Sequence, residues 1–149
     1  MGRFDMLPSI AASVFDHLTF GPLRAPSCPA DGIWRWEALE LLSTARGRAD
    51  LSFDAGPGGP GDAHEAQLAT LIAQLDRLTA AAAPAIRSAL PECVGLSLAD
   101  PWAQLEWQGA HLTGEEGAFN LHYACKSWPE ALIIVRFERS VPVLVQIES

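Results

Sequence analysis

Four histidines and three cysteines are the residues of this chain best suited to bring a nucleophile or a metal to a site. The densest local set is His122, Cys125 and Lys126. A catalytic cysteine acts as the thiolate, which forms beside a histidine, a cation or a helix N-terminus. Lys126 supplies a cation, but His122 and Cys125 stand three apart at the end of a strand-like segment. Alternation sends them to opposite faces. The expectation is a surface histidine and a partly buried thiol. His111, His122 and Cys125 would meet at a metal only across strands. Zinc ligands usually come in tight pairs such as CxxC or HxxxH, and the chain has neither. His64-Glu65 lacks the second histidine of HExxH. Glu115-Glu116, between Gly114 and Gly117, is expected at a solvent-facing hairpin tip, where nothing divides the pair into an acid and a base. No catalytic residue, metal or cofactor is expected.

Five tryptophans are the unusual feature of the composition. Alternation assigns Trp34, Trp36 and Trp107 to a core face. Trp102 follows Asp100-Pro101 and Trp128 precedes Pro129, so both fall near loops. Exposed tryptophan is costly and is enriched at binding hot spots. Trp102 and Trp128, with the acidic Glu115 and Glu116, are therefore the expected binding residues. Lys and Arg total 10 against 18 Asp and Glu, a net charge of −8. That balance disfavours nucleic acid and anionic membranes and suits a basic protein partner.

The elements that must position these groups show in the hydrophobic pattern. Apolar and polar residues alternate in Ala103–Gly109 and Phe119–Tyr123. They do so again around Ile133, Val135 and Phe137, and from Val141 to Ile147. Period two means one buried and one wet face, the mark of antiparallel sheet. Glu138-Arg-Ser140 is the expected hairpin turn, and Pro142 marks an edge strand or strand start. Leu51 and Phe53 alternate with Asp50 and Ser52, and Trp34 and Trp36 with Arg35 and Glu37. Both segments are expected as strands, although Glu37–Leu42 also suits a helix.

Between these regions lies Asp54-Ala-Gly-Pro-Gly-Gly-Pro-Gly-Asp62, which sustains neither helix nor strand. It has no following Lys-Ser or Lys-Thr, so it is a connector and not a phosphate loop. A helix follows: Leu68, Leu71, Ile72, Leu75 and Leu78 share one face, with Asp62 as N-cap and Glu65 completing a capping-box pattern. Pro84 should kink this helix or open a second short one, Ala85 to Leu90.

The order of strands, helix pair and strands predicts a single α+β domain over 1–149. It has a mainly antiparallel sheet and a helix pair on one face. Residues 1–15 are expected to be a loosely ordered segment. A hydrophobic content of 49% excludes wholesale disorder. Cys28, Cys93 and Cys125 are odd in number and far apart, which suits reduced thiols in the cytoplasm.

The segments Gln104-Leu-Glu-Trp107, Phe119–Tyr123, Trp128-Pro-Glu130, Leu132–Phe137 and Val143–Ile147 carry a resemblance. In element order the chain resembles small bacterial α+β domains of unknown function, similar to the immunity proteins that neutralise polymorphic toxins. The resemblance covers residues 15–149 and rests on no invariant motif, so it carries over no functional residue. It implies a non-enzymatic protein that binds one partner. Two other readings stand beside it: a self-associating subunit pairing through the Pro142-marked strand, and a thiol enzyme using Cys125 with His122 or His111.

Overall fold

A computed structural model describes residues 12–26 and 32–149. The expected loose segment 1–15 lies largely outside the described residues, as does Cys28; residues 12–15 belong to a strand. The described residues form a mostly antiparallel open sheet of nine strands with two helices, an α+β architecture. The strands are β1 (Ala12–His17), β2 (Gly21–Pro26), β3 (Trp34–Ala38), β4 (Leu42–Thr44), β5 (Gly47–Ala55), β6 (Leu105–Leu112), β7 (Phe119–Cys125), β8 (Trp128–Glu138) and β9 (Val141–Glu148). They lie in the order β1-β2-β3-β5-β6-β7-β8-β9, with β4 paired to the first half of β5. The segment that suited either strand or helix is strand from Trp34 to Ala38.

Each half of the sheet is a run of antiparallel neighbours. Among the described residues the halves meet at one parallel pair, β5 with β6, in the register Asp50↔Gly109, Leu51↔Ala110, Ser52↔His111 and Phe53↔Leu112. The two helices fill the crossover that a parallel connection requires. A residue larger than glycine does not fit at Gly109, where a Cβ would lie 2.5 Å from the Asp50 carbonyl oxygen.

The core forms where the alternation predicts it. Along β7, Phe119, Leu121, Tyr123 and Cys125 are buried while Asn120, His122 and Ala124 are half-exposed. Trp36, Phe53, Trp107, Tyr123 and Phe137 are the largest fully buried side chains. The two buried indoles find acceptors: Trp36 Nε1 donates to the Gly56 carbonyl at 3.0 Å and Trp107 Nε1 to the Gly109 carbonyl at 2.7 Å. Trp34 is half-buried and stacks on Trp36 at 6.0 Å between centroids.

The helical region departs from expectation in two places. Helix α1 spans Asp62–Ala73, and its N-cap is Gly61. The reciprocal partner is His64, whose Nδ1 accepts the Gly61 N–H at 3.2 Å while Nε2 meets the Asp54 carbonyl at 2.6 Å. The helix begins one residue earlier than the Asp62 cap would allow, which leaves Glu65 to accept the Thr19 hydroxyl at 2.5 Å. The interruption falls at Gln74, not Pro84, and helix α2 runs unbroken over Leu75–Ala89. Pro84 and Ala80 are exposed, so water meets the carbonyl that the missing N–H leaves free. The break turns Ile72 toward solvent, while Leu68, Leu71, Leu75, Leu78 and Ile86 join the core.

The turn between β8 and β9 places Arg139 and Ser140 at φ 55° and 60°. Two-residue hairpins require this left-handed conformation, which costs non-glycine residues energy. The Ser140 N–H donates to the Gly117 carbonyl at 3.0 Å and ties this turn to the β6–β7 loop.

Candidate functional site

Residues paired across neighbouring strands project to the same side, so the register assembles rows on the polar face of the sheet. One row runs Arg24, Glu37, Ser52, His111, Asn120, Arg136 and Leu144. The next runs Asp50, Gly109, His122, Ile134 and Gln146. A third brings Glu106, Ala124, Leu132 and Glu148 together. Leu132, Ile134 and Leu144 make an apolar patch on this face, with Glu148 directly across from Leu132, His122 and Gln146 on either side of Ile134, and Arg136 across from Leu144.

At the parallel seam the rows place three groups in contact. Ser52 Oγ lies 2.7 Å from His111 Nδ1, and His111 Nε2 lies 2.9 Å from Asp54 Oδ1. Arg35 Nε approaches the same oxygen at 3.7 Å. Asp54 Oδ1 is shielded from solvent and, among the described residues, has no aligned hydrogen-bond donor; His111 is its nearest polar neighbour. Two hollows flank the cluster. One, of about 480 Å³, is bounded by Asp54, His111, Glu115, Glu116, Asn120 and Arg136. The other, of about 410 Å³, is bounded by Arg24, Glu37, Asp50, Ser52 and His122. Burial holds His122 below the usual histidine range, and neighbouring His111 adds to this; Glu148 and Asp50 oppose it.

The expected binding residues do not gather in one place. Glu115 and Glu116 are exposed on the β6–β7 loop and border the first hollow. Trp102 and Trp128 lie near the other ends of β6 and β7, with the length of those strands between them and the acidic pair. Both tryptophans are half-buried and pack against the core. Trp102 Nε1 donates to Asp76 Oδ1 at 3.0 Å, and the Arg46 guanidinium lies 4.6 Å above its ring.

The Cys125 thiol is fully buried beside Ser127 and Gln104, at 3.5 and 3.9 Å, while His122 projects to the polar face. Cys93 is exposed. Among the described residues no three His, Cys, Asp or Glu side chains gather in a metal-binding arrangement. Among them, too, no helix is long and apolar enough to cross a membrane.

Two groups escape a reading of the sequence. Gln67 is buried, and its amide holds the β6–β7 loop. Ser52 and Asp54 are visible as wet-face positions of a strand. Their histidine comes from a strand almost sixty residues on, through a parallel register that no local signal encodes.

Compared with known proteins, the chain matches no family model, no curated sequence and no solved structure.

Proposed function

We propose that this chain is a non-enzymatic, cytoplasmic protein-recognition domain of the immunity type, which binds a basic partner through the polar face of its sheet. In this reading α1 and α2 pack together on the opposite face. His64 stacking edge-on against Phe53 at 6.0 Å and the Thr79 hydroxyl meeting Tyr123 at 2.8 Å support that placement, since both aromatic residues belong to the buried face. The observation that carries the proposal is the apolar patch of Leu132, Ile134 and Leu144, with Glu148 beside it, on a chain of net charge −8. Apolar area supplies affinity, and the negative charge of the chain raises the on-rate for a positive surface.

The test is a pull-down with the tagged domain at low salt, run beside Ile134→Arg and Leu144→Arg variants that melt as the wild type does. One stoichiometric basic partner, lost in both variants and at high salt, supports the reading. A partner that both variants retain, or none at all, overturns it.

One observation favours self-association as a second reading. Val141, Val143 and Leu144 are more than half exposed on β9, which closes one end of the strand order. Such an edge offers unpaired backbone groups to a second copy. A monomeric mass by light scattering at high concentration would remove it.

A further inference from the structure

We propose that Ser52, His111 and Asp54 form an acyl-transfer site that hydrolyses small polar carboxylic esters. The partner-binding part of the recognition reading stands or falls independently of this activity, whereas hydrolysis here replaces its non-enzymatic part.

A shielded carboxylate oxygen without an aligned donor is costly, and such groups call for an explanation. Asp54 Oδ1 lies 2.9 Å from His111 Nε2, so the carboxylate favours the tautomer with its proton on that nitrogen. The lone pair then falls on Nδ1, 2.7 Å from Ser52 Oγ, where it accepts the serine proton. When Nδ1 takes that proton, the imidazolium gains a full charge partner in Asp54. Nucleophile, base and carboxylate thus stand in the order of the serine–histidine–aspartate arrangement, with the two ring nitrogens exchanged and the His111–Asp54 contact close but not aligned as a hydrogen bond. The parallel seam supplies the rigidity such a site needs, because all three residues lie on or beside paired backbone of β5 and β6.

In the reaction, Ser52 Oγ bonds to the ester carbonyl carbon as its proton moves to His111 Nδ1. The carbon–oxygen bond to the alcohol then breaks, and the alcohol leaves with that proton. Water attacks the acyl-serine in the same way. Its proton passes to Nδ1, the acyl–Oγ bond breaks, the carboxylic acid departs, and Oγ recovers its proton. The hollow beside Ser52 is lined by Arg24, Glu37, Asp50 and His122, which selects a short polar acyl group over a lipid chain. Arg24, paired with Glu37 at 3.3 Å, and the ring of His122 are the side-chain donors that line this hollow.

The experiment treats the full chain with diisopropyl fluorophosphate, locates the adduct by peptide mass spectrometry, and measures p-nitrophenyl acetate hydrolysis in parallel. The expected result is one diisopropylphosphoryl group on Ser52. His111→Gln should slow labelling and hydrolysis by at least about 100-fold, the lower range for a general base. An unlabelled wild-type Ser52, or an adduct elsewhere, overturns the proposal without reference to any variant. Asp54 acts through His111 as a positioning residue, and its test is spectroscopic. Imidazole ¹⁵N shifts should show the neutral proton on Nε2 in the wild type and a mixed tautomer in Asp54→Asn. An unchanged tautomer in a folded Asp54→Asn protein would remove that role.

Discussion

Replacing Gln67 by glutamate changes almost no volume and removes two hydrogen-bond donors. The Gln67 Nε2 group donates to the carbonyls of Glu115 at 2.6 Å and Ala118 at 2.8 Å, and Oε1 accepts the Gly114 N–H at 3.0 Å. A glutamate keeps the bond from Gly114 and points an anion at the other two carbonyls. Both carbonyls retain a second donor, Glu115 O from the Ala118 N–H and Ala118 O from the Thr113 hydroxyl, so neither is orphaned. The cost is therefore two lost bonds of about 1 kcal/mol each, plus a further 1–3 kcal/mol, roughly, for the buried charge. A total of about 3–5 kcal/mol corresponds to a fall in Tm of roughly 6–20 °C for a chain of this size. The introduced carboxyl would titrate above its unfolded value, so the unfolded state sheds its proton first and stability falls as pH rises through the range above about 4.3. The penalty should thus be largest at pH 7 and shrink toward pH 4.5. Gln67→Met loses the same two bonds and orphans the Gly114 N–H as well, so it should cost a similar total of about 3–5 kcal/mol at pH 7 with no added pH dependence. Urea denaturation of the three proteins at pH 7 and pH 4.5 decides it, with hydrogen exchange of residues 113–118 as the local readout. Variants as stable as the wild type at pH 7, or a glutamate variant with no more pH dependence than the methionine variant, would refute the assignment of Gln67 as the clamp on this loop.

Three further outcomes follow from the same geometry. Tyr123→Phe and Thr79→Val should each cost about 1–2 kcal/mol by orphaning a buried hydroxyl, and burial already raises the Tyr123 phenol above its ordinary range. The double variant should cost less than the sum, and simple additivity in urea titrations would show that the two hydroxyls do not interact. Because folding makes His122 harder to protonate, the unfolded state binds more protons below about pH 6.5 and wild-type stability should fall there. His122→Asn should flatten that part of the profile, and an unchanged slope would contradict the buried placement. Replacing Arg139-Ser140 by Asn-Gly should raise stability by about 1 kcal/mol, since both positions are left-handed; a lower melting temperature would argue against this turn geometry.

The fold class is legible because burial on one side of a sheet writes period two into the chain. Phe119–Cys125 and Ile133–Phe137 can be read almost residue by residue. Strands β1, β2 and β4 are not legible in this way, since Gly21-Pro22 and the short Leu42–Thr44 segment carry little alternation. Pro84 misleads because the rule against proline inside helices weakens where the freed carbonyl meets water. Glu115 and Glu116 read correctly as a solvent-facing loop, but only the register shows that His111 and Asp54 share the hollow beneath them. Gln67 looks like a wet-face residue because its partners are backbone groups, which have no signature in sequence.

The single parallel pair among the described strands makes the molecule a joint between two self-contained meanders. Each meander closes its own contacts over short chain distances, whereas the β5–β6 seam must wait until the helical crossover has brought distant residues together. That seam is the natural fracture line of the protein. The Gly/Pro connector ahead of α1 is largely exposed, so cutting there would give two pieces with matching strand edges, and the Ser52–His111 contact would exist only after they rejoin. A protein split at this connector would report its own reassembly, because neither piece alone carries the whole cluster.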